Sequence, residues 1–295
     1  MRHHDLLPPT SPRPGPRSRA VFAAAALAGV CLTATGCADG GGPGAAGAES
    51  AARPPSSAPP GAPDASPSPS RGPLTGRTVV VDPGHNPGNR DHTREINSQV
   101  DIGTGRKECD TTGTATDAGY PEARFTLDVS RRLRTLLEEQ GAEVVLTQDD
   151  DRPYGPCVDE RARIGNEKKA DAVVSVHADG SATGNRGFHV ILPAAVNGGG
   201  ADTSEIVAPS RDLGVRIAGS FGRATGSAPS DYIGDGTGLD TRGDLGGLNL
   251  STVPKVFIEC GNMRDPKDAA LLTSASWRQK AALGIAGGIE GYLTR

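Results

Sequence analysis

The sequence predicts an α/β fold, and three observations carry that prediction. Short apolar runs rich in Val and Ile alternate with longer amphipathic stretches, the pattern of strands and helices stacked in layers. Three of those runs end on a residue of metal-ligand or acid/base type: Val79-Val80-Val81-Asp82-Pro83-Gly84-His85, Val173-Val174-Ser175-Val176-His177, and Val256-Phe257-Ile258-Glu259-Cys260-Gly261. The C-terminal ends of strands are where open α/β sheets bind their ligands. Finally, 295 residues are enough for one good-sized domain with extensions.

The elements follow in order. Arg2, Arg13, Arg17 and Arg19 precede an apolar, Ala-rich run from Val21 to Thr35. This is the layout of an export signal, too short to span a membrane comfortably. It ends in Ala34-Thr35-Gly36-Cys37, which resembles a bacterial lipobox. Residues 1–36 are therefore expected to be a signal peptide of lipoprotein type, with Cys37 the lipidated residue. Residues 37–76 are Ala, Gly, Pro and Ser with hardly any large apolar side chain. Such a segment cannot offset the entropy of folding and reads as a disordered tether. Its end-to-end distance as a coil is roughly 35 Å.

The folded domain is expected over 77–295. Thr78–Asp82 reads as the first strand. Pro121–Gln140 reads as a helix, with Phe125, Val129, Leu133, Leu136 and Leu137 on one face and Gly141 as its stop. Strands are expected at 143–147, 172–177, 187–192 and 253–259. Helices are expected at 158–169, 211–225, 268–272 and 276–293, the last with Ala282, Ile285, Ala286 and Ile289 on one stripe. Three stretches, 86–120, 194–210 and 226–247, read as long loops, and loops of that length are usually functional or disordered.

Loss of residues 1–36 removes four Arg and one Asp, which moves the formal net charge from −4 to −7. An acidic domain argues against nucleic acid, which is bound through cationic contacts to phosphate. It also argues against a basic membrane-binding patch, leaving the lipid anchor as the expected membrane contact. Cys109 and Cys157 lie in polar, loop-like sequence of an exported chain and are expected to form a disulfide. Cys260, inside an apolar run, reads as an inert core residue. The working expectation is a monomer.

Beyond the signal the chain has four His: His85, His92, His177 and His189. His85 and His177 end apolar strands, and neighbouring strands lie about 4.8 Å apart, so their side chains can share one ion. His92 and His189 read as ordinary hydrogen-bonding residues. Zinc hydrolases commonly combine two His with one carboxylate. Glu122, opening the helix after the His85 loop, is the candidate third ligand, set against plain complementation of the helix dipole. Glu259 ends the strand of Val, Phe and Ile, where a carboxylate is costly unless it is paired or near a metal. Its expected role is general base, set against a structural ion pair.

These residues match a family. Asp82-Pro83-Gly84-His85, Glu122, Ser175-Val176-His177-Ala178-Asp179 and Val256-Phe257-Ile258-Glu259-Cys260-Gly261-Asn262 together resemble the zinc-dependent N-acetylmuramoyl-L-alanine amidases of the amidase-3 type. The resemblance covers essentially all of 77–293. It implies a twisted, mostly parallel sheet of about six strands, flanked by helices on both faces, in a single catalytic domain. It also implies Zn2+ on His85, Glu122 and His177, and Glu259 as catalytic acid/base. The implied substrate is peptidoglycan or its muropeptides, cut between the lactyl group of N-acetylmuramic acid and L-alanine. Arg242 and Asn262 are carried as substrate-binding candidates, with Asp265, where relatives commonly have Asn, a weaker one. The absence of a wall-binding repeat resembles compact actinobacterial members, acting outside the cytoplasmic membrane or in the cell-wall space. Two other readings stay open: a zinc peptidase acting on stem peptides, and an inactive wall-binding lipoprotein.

Overall fold

The computed structural model describes residues 72–295. The export signal, Cys37 and most of the tether lie outside the described residues. The main sheet has six strands: β1 (Thr78–Pro83), β2 (Glu143–Leu146), β3 (Ala172–Asp179), β4 (His189–Pro193), β5 (Leu239–Arg242) and β6 (Lys255–Asn262). Their order is β2-β1-β3-β6-β4-β5. Every pairing is parallel except that of β6 with β4. The five longer helices are α1 (Glu122–Glu139), α2 (Val158–Glu167), α3 (Val207–Thr225), α4 (Pro266–Leu272) and α5 (Ala275–Leu293). The expected α/β class, mostly parallel sheet and helical flanks are all present.

Side chains alternate across a strand, and here the alternation separates two kinds of surface. Val79, Val81, Val174, Val176, Val190, Leu192, Val256 and Ile258 fall into one buried apolar cluster with residues of α1, α3 and α5. Helix α1 contributes Phe125, Val129, Leu133 and Leu137, each fully buried, as its sequence stripe predicts. Full burial of side chains of this size contributes about 1.5–3 kcal/mol apiece. Helices α3 and α5 approach so closely that a Cβ on Gly288 would lie 2.5 Å from the Ile217 Cα.

The alternate positions of the same strands are Asp82, Ser175, His177, His189, Lys255, Phe257 and Glu259. Apolar contacts on this side shrink to Val80, Ala170 and Val173 with a few half-buried neighbours, among them Ile164 of α2. The rest is covered by loops. The register sets Glu259 beside His177 on one neighbour and His189 on the other, so all three point the same way.

Several expected boundaries shift. Helix α3 starts at Val207, α4 at Pro266, and β6 runs from Lys255 to Asn262 with an irregularity after Glu259. The stretch 226–247 holds strand β5, an edge strand that sequence pattern does not signal, because Leu-Asp-Thr-Arg has no apolar alternation. The stretch 86–120 is built: it contains a helical turn at Thr93–Ile96 and a small hairpin pairing Gln99–Asp101 with Arg106–Glu108. Cys109 and Cys157 form the expected disulfide across 48 positions. Closing a loop of that length is worth about 4 kcal/mol in the chain-entropy description.

Candidate metal centre

Three elements deliver three ligand-type side chains to one point. His85 stands two residues beyond β1, His177 is in β3, and Glu122 opens α1. One ligand-type atom from each lies within 4.8 Å of the others. The Glu122 Oε1 is 3.2 Å from His85 Nε2 and 3.1 Å from His177 Nδ1. The other Glu122 oxygen accepts the Thr114 N–H at 2.9 Å, which fixes the carboxylate plane. The His177 ring stacks on Phe257, with centroids 5.2 Å apart and planes 20° apart. Its opposite flank leaves room only for glycine: a Cβ at Gly84 would lie 2.3 Å from His177 Cε1.

His85 adopts φ +61°, a conformation that costs a non-glycine residue of the order of 1–3 kcal/mol. Its carbonyl is held by Arg161 Nη2 at 2.9 Å and by Gln148 Nε2 at 3.2 Å. Its Nδ1 faces the Thr111 carbonyl at 3.1 Å and Asp110 Oδ1 at 3.4 Å. With Nδ1 so engaged, Nε2 is left to face Glu122 and His177.

Electrostatics favour a cation here. Burial works against a charged His85 ring, but Glu122 and then Asp110 outweigh it and push its pKa well above the ordinary 6.5. Burial raises the Glu122 carboxyl, yet the two His rings outweigh it and hold it well below the carboxylate range. A pocket whose buried carboxylate oxygen stands between two imidazoles offers negative charge and two nitrogens to a metal ion. Two nitrogens and one carboxylate oxygen also make a donor set that suits zinc and related divalent ions.

Glu259 stands next to this triad. Its Oε2 is buried and has no hydrogen-bond partner within the protein. Burial, and next the charge of Glu122, push its carboxyl well above the ordinary 4.5. The structural ion pair considered from the sequence is absent among the described residues. His85, Glu122, His177, Phe257, Glu259 and Arg242 all line one cavity of about 490 Å³.

Arg242 is half-exposed on that wall, and both of its arms bond Asp244, at 2.8 and 2.7 Å. Asn262 is not among the residues lining that cavity. It is fully buried, donates to the Ala182 and Asn185 carbonyls, and accepts the Arg264 N–H, so its amide is spent on holding a loop. Asp265 is likewise structural: it caps α4 by accepting the Lys267 and Asp268 N–H groups. Cys260 is buried in the apolar cluster. His189 is buried opposite Glu259 with its ring edge-on to Tyr232, and His92 packs on Tyr154. Sequence reasoning missed Asp110, Arg161 and Asp179. Asp179 accepts the Tyr232 hydroxyl at 2.7 Å on the cavity rim. None of the three ends an apolar run in the way that marks His85.

A largely parallel sheet presenting a His–Glu–His cluster and an unpaired carboxylate at its C-terminal edge has the layout of a metal-assisted hydrolase. The comparisons with known proteins agree. The family profile described as N-acetylmuramoyl-L-alanine amidase matches residues 79–291. The chain is similar to the N-acetylmuramoyl-L-alanine amidase Rv3717 of Mycobacterium tuberculosis, with 40% identity over 225 residues, 75% of this chain and 88% of that protein. It is also similar to the crystal structure of the amidase Ami1 from Mycobacterium smegmatis, with TM-score 0.68 and 41% identity over 75% of this chain and 98% of that one. The apo form of Ami1 from Mycobacterium abscessus gives TM-score 0.68 and 43% identity, covering 75% of this chain and 100% of that one. The chain belongs to the amidase-3 family of N-acetylmuramoyl-L-alanine amidases, hydrolases that cleave peptidoglycan.

Proposed function

We propose that His85, Glu122 and His177 hold a zinc ion, and that Glu259 is the acid/base for hydrolysis of the N-acetylmuramoyl–L-alanine amide. The carrying observation is that the unpaired Glu259 carboxylate stands beside His177, next to three ligand-type atoms that lie within 4.8 Å of one another. Bound there, zinc would supply Lewis acidity, making water easier to deprotonate and a carbonyl easier to attack. His85 and His177 would each offer the ion an imidazole nitrogen, and Glu122 a carboxylate oxygen. Glu259 accepts the proton of the attacking water and returns it to the leaving amine of L-alanine. A buried carboxylate that lines the cavity and has an unpartnered oxygen is free to do both. Phe257 keeps the His177 ring in its plane. Arg242 is proposed to meet a carboxylate of the stem peptide, for which a guanidinium is well shaped, exchanging Asp244 for substrate.

The proposed setting is outside the cytosol, with residues 1–36 removed, Cys37 lipidated and 37–76 as the tether of a head spanning 77–295. The disulfide supports that compartment. To test the reaction, purified protein is incubated with peptidoglycan and newly freed L-alanine amino termini are counted. Zinc-loaded protein is expected to release them, and chelated protein to release none. Equal release after exhaustive chelation rules out the metal. Replacing Cys37 with Ala is expected to move the protein from the membrane to the soluble fraction. Unchanged partitioning rules out the anchor.

A further inference from the structure

Behind His85 lies a buried charged layer that meets this residue at its ring and at its carbonyl. Arg161, on α2, is 4% exposed and uses its whole guanidinium. Nε donates to the Pro156 carbonyl at 2.8 Å. Nη1 donates to Asp82 Oδ1 at 2.7 Å and the Pro83 carbonyl at 2.6 Å. Nη2 donates to the His85 carbonyl and to Asp110 Oδ2, both at 2.9 Å. Thus one side chain grips the strand end before His85, the carbonyl of His85 itself, and the carboxylate whose other oxygen faces the His85 ring.

Asp110 is 6% exposed. Its Oδ1 accepts the Thr111 N–H at 2.7 Å and lies 3.4 Å from His85 Nδ1. The Thr111 carbonyl, which also faces Nδ1, is pinned by Asn89 Nδ2 at 2.7 Å. The disulfide fastens both halves of this layer. Cys109 precedes Asp110 directly, while Cys157 is the residue before α2, four positions ahead of Arg161. A backbone bond from the Val158 N–H to the Cys109 carbonyl at 2.8 Å lies beside it.

Resting on the zinc reading above, we infer that Asp110 and Arg161 are positioning residues of the metal centre, fastened to each other by the Cys109–Cys157 disulfide. They hold the strained His85 backbone and turn its ring so that Nε2 faces Glu122 before any ion arrives. Preset ligands bind more tightly because the ordering cost is met in folding, and outer partners of this kind typically change metal affinity by about 10–100-fold.

The test measures the zinc dissociation constant of the folded full chain by competition with a chelating dye, well below the melting temperature. Asp110→Asn, which keeps the shape and removes the charge, is expected to weaken zinc binding by about tenfold or more. Asp110→Glu keeps the charge but pushes it out of place, and the same direction is expected. A paired Cys109→Ser and Cys157→Ser variant is expected to weaken binding by a smaller factor. A merely structural role would lower the melting temperature and leave the dissociation constant unchanged, and that result for both Asp110 variants overturns the inference. Wild-type affinity in the paired Ser variant removes the disulfide from it. If wild-type protein itself takes up no zinc, the metal reading fails as well, so the two failures are distinguishable.

Discussion

The two faces of the sheet are made from the same strands and do opposite work. On one, Val, Ile and Leu pack with side chains of α1, α3, α4 and α5, and the surface is closed. On the other, Asp82, Ser175, His177, Lys255 and Glu259 stand at the alternate positions, under one short helix and several loops. The first face holds the strands together; the second uses their fixed register to place charges. Buried polar groups are costly unless partnered, and on this face the partnering is uneven. The Asp82 carboxylate has Thr147, Ser175, Arg161 and Lys255. Glu259 leaves one oxygen without any partner. His189, its neighbour on β4, likewise has a buried Nδ1 without a partner; of the two, Glu259 is the one assigned to the chemistry.

The division can be broken by mutation. The largest effect is expected for Glu259→Gln: amidase turnover falls by about 10²–10⁴-fold, while zinc uptake, read by the dye assay, is kept. Zinc loss in this variant, or retained turnover, would erase the separate role given to Glu259. On the opposite face, Leu213→Ala opens a cavity in the closed core and is expected to cost about 2–5 kcal/mol of stability. Denaturant unfolding measures that cost, and turnover per folded molecule should hold. If turnover falls as steeply as stability, the faces are not independent.

Gly84→Ala probes the seam between the faces. Its new methyl collides with the His177 ring, and overpacking of this kind costs about 1–3 kcal/mol. The zinc dissociation constant is expected to rise correspondingly, by roughly 5- to 150-fold. A wild-type value would show that the ring has slack.

The smallest effect is in pH. The raised groups, Glu259 and His85, favour the metal-free fold fully only below their ordinary values of 4.5 and 6.5. That contribution is lost as pH rises through their raised folded values. Asp110 works the other way: its contribution is present above the ordinary 3.8 and is lost as pH falls toward about 2. Melting temperatures of chelated protein should therefore decline as pH climbs above 4.5, and zinc should blunt the decline. A flat profile without metal would contradict the electrostatic picture of the triad.

How much of this was legible in the sequence divides along the same line. Apolar patterning is a local signal: continuous runs marked β1, β3 and β6, and a helical stripe marked α1. The triad was legible because His85 and His177 end such runs, with Glu122 supplied by the order of motifs. Strand β5 escaped because an edge strand buried only in part needs no alternation. The engagement of the Asn262 amide with the Ala182 and Asn185 carbonyls is a contact across about 80 positions that no local pattern reveals. Asp110 and Arg161 escaped for a third reason: they meet His85 only across 25 and 76 positions of chain, after the fold and the disulfide bring them there.

The most direct test of the central claim is mass spectrometry of muropeptides after digestion with zinc-loaded protein. The account predicts intact stem peptides beginning with free L-alanine, beside glycan fragments whose N-acetylmuramic acid carries a free lactyl carboxylate, and neither from Glu259→Gln. Products cut between amino acids, with the muramoyl–alanine bond whole, would contradict it.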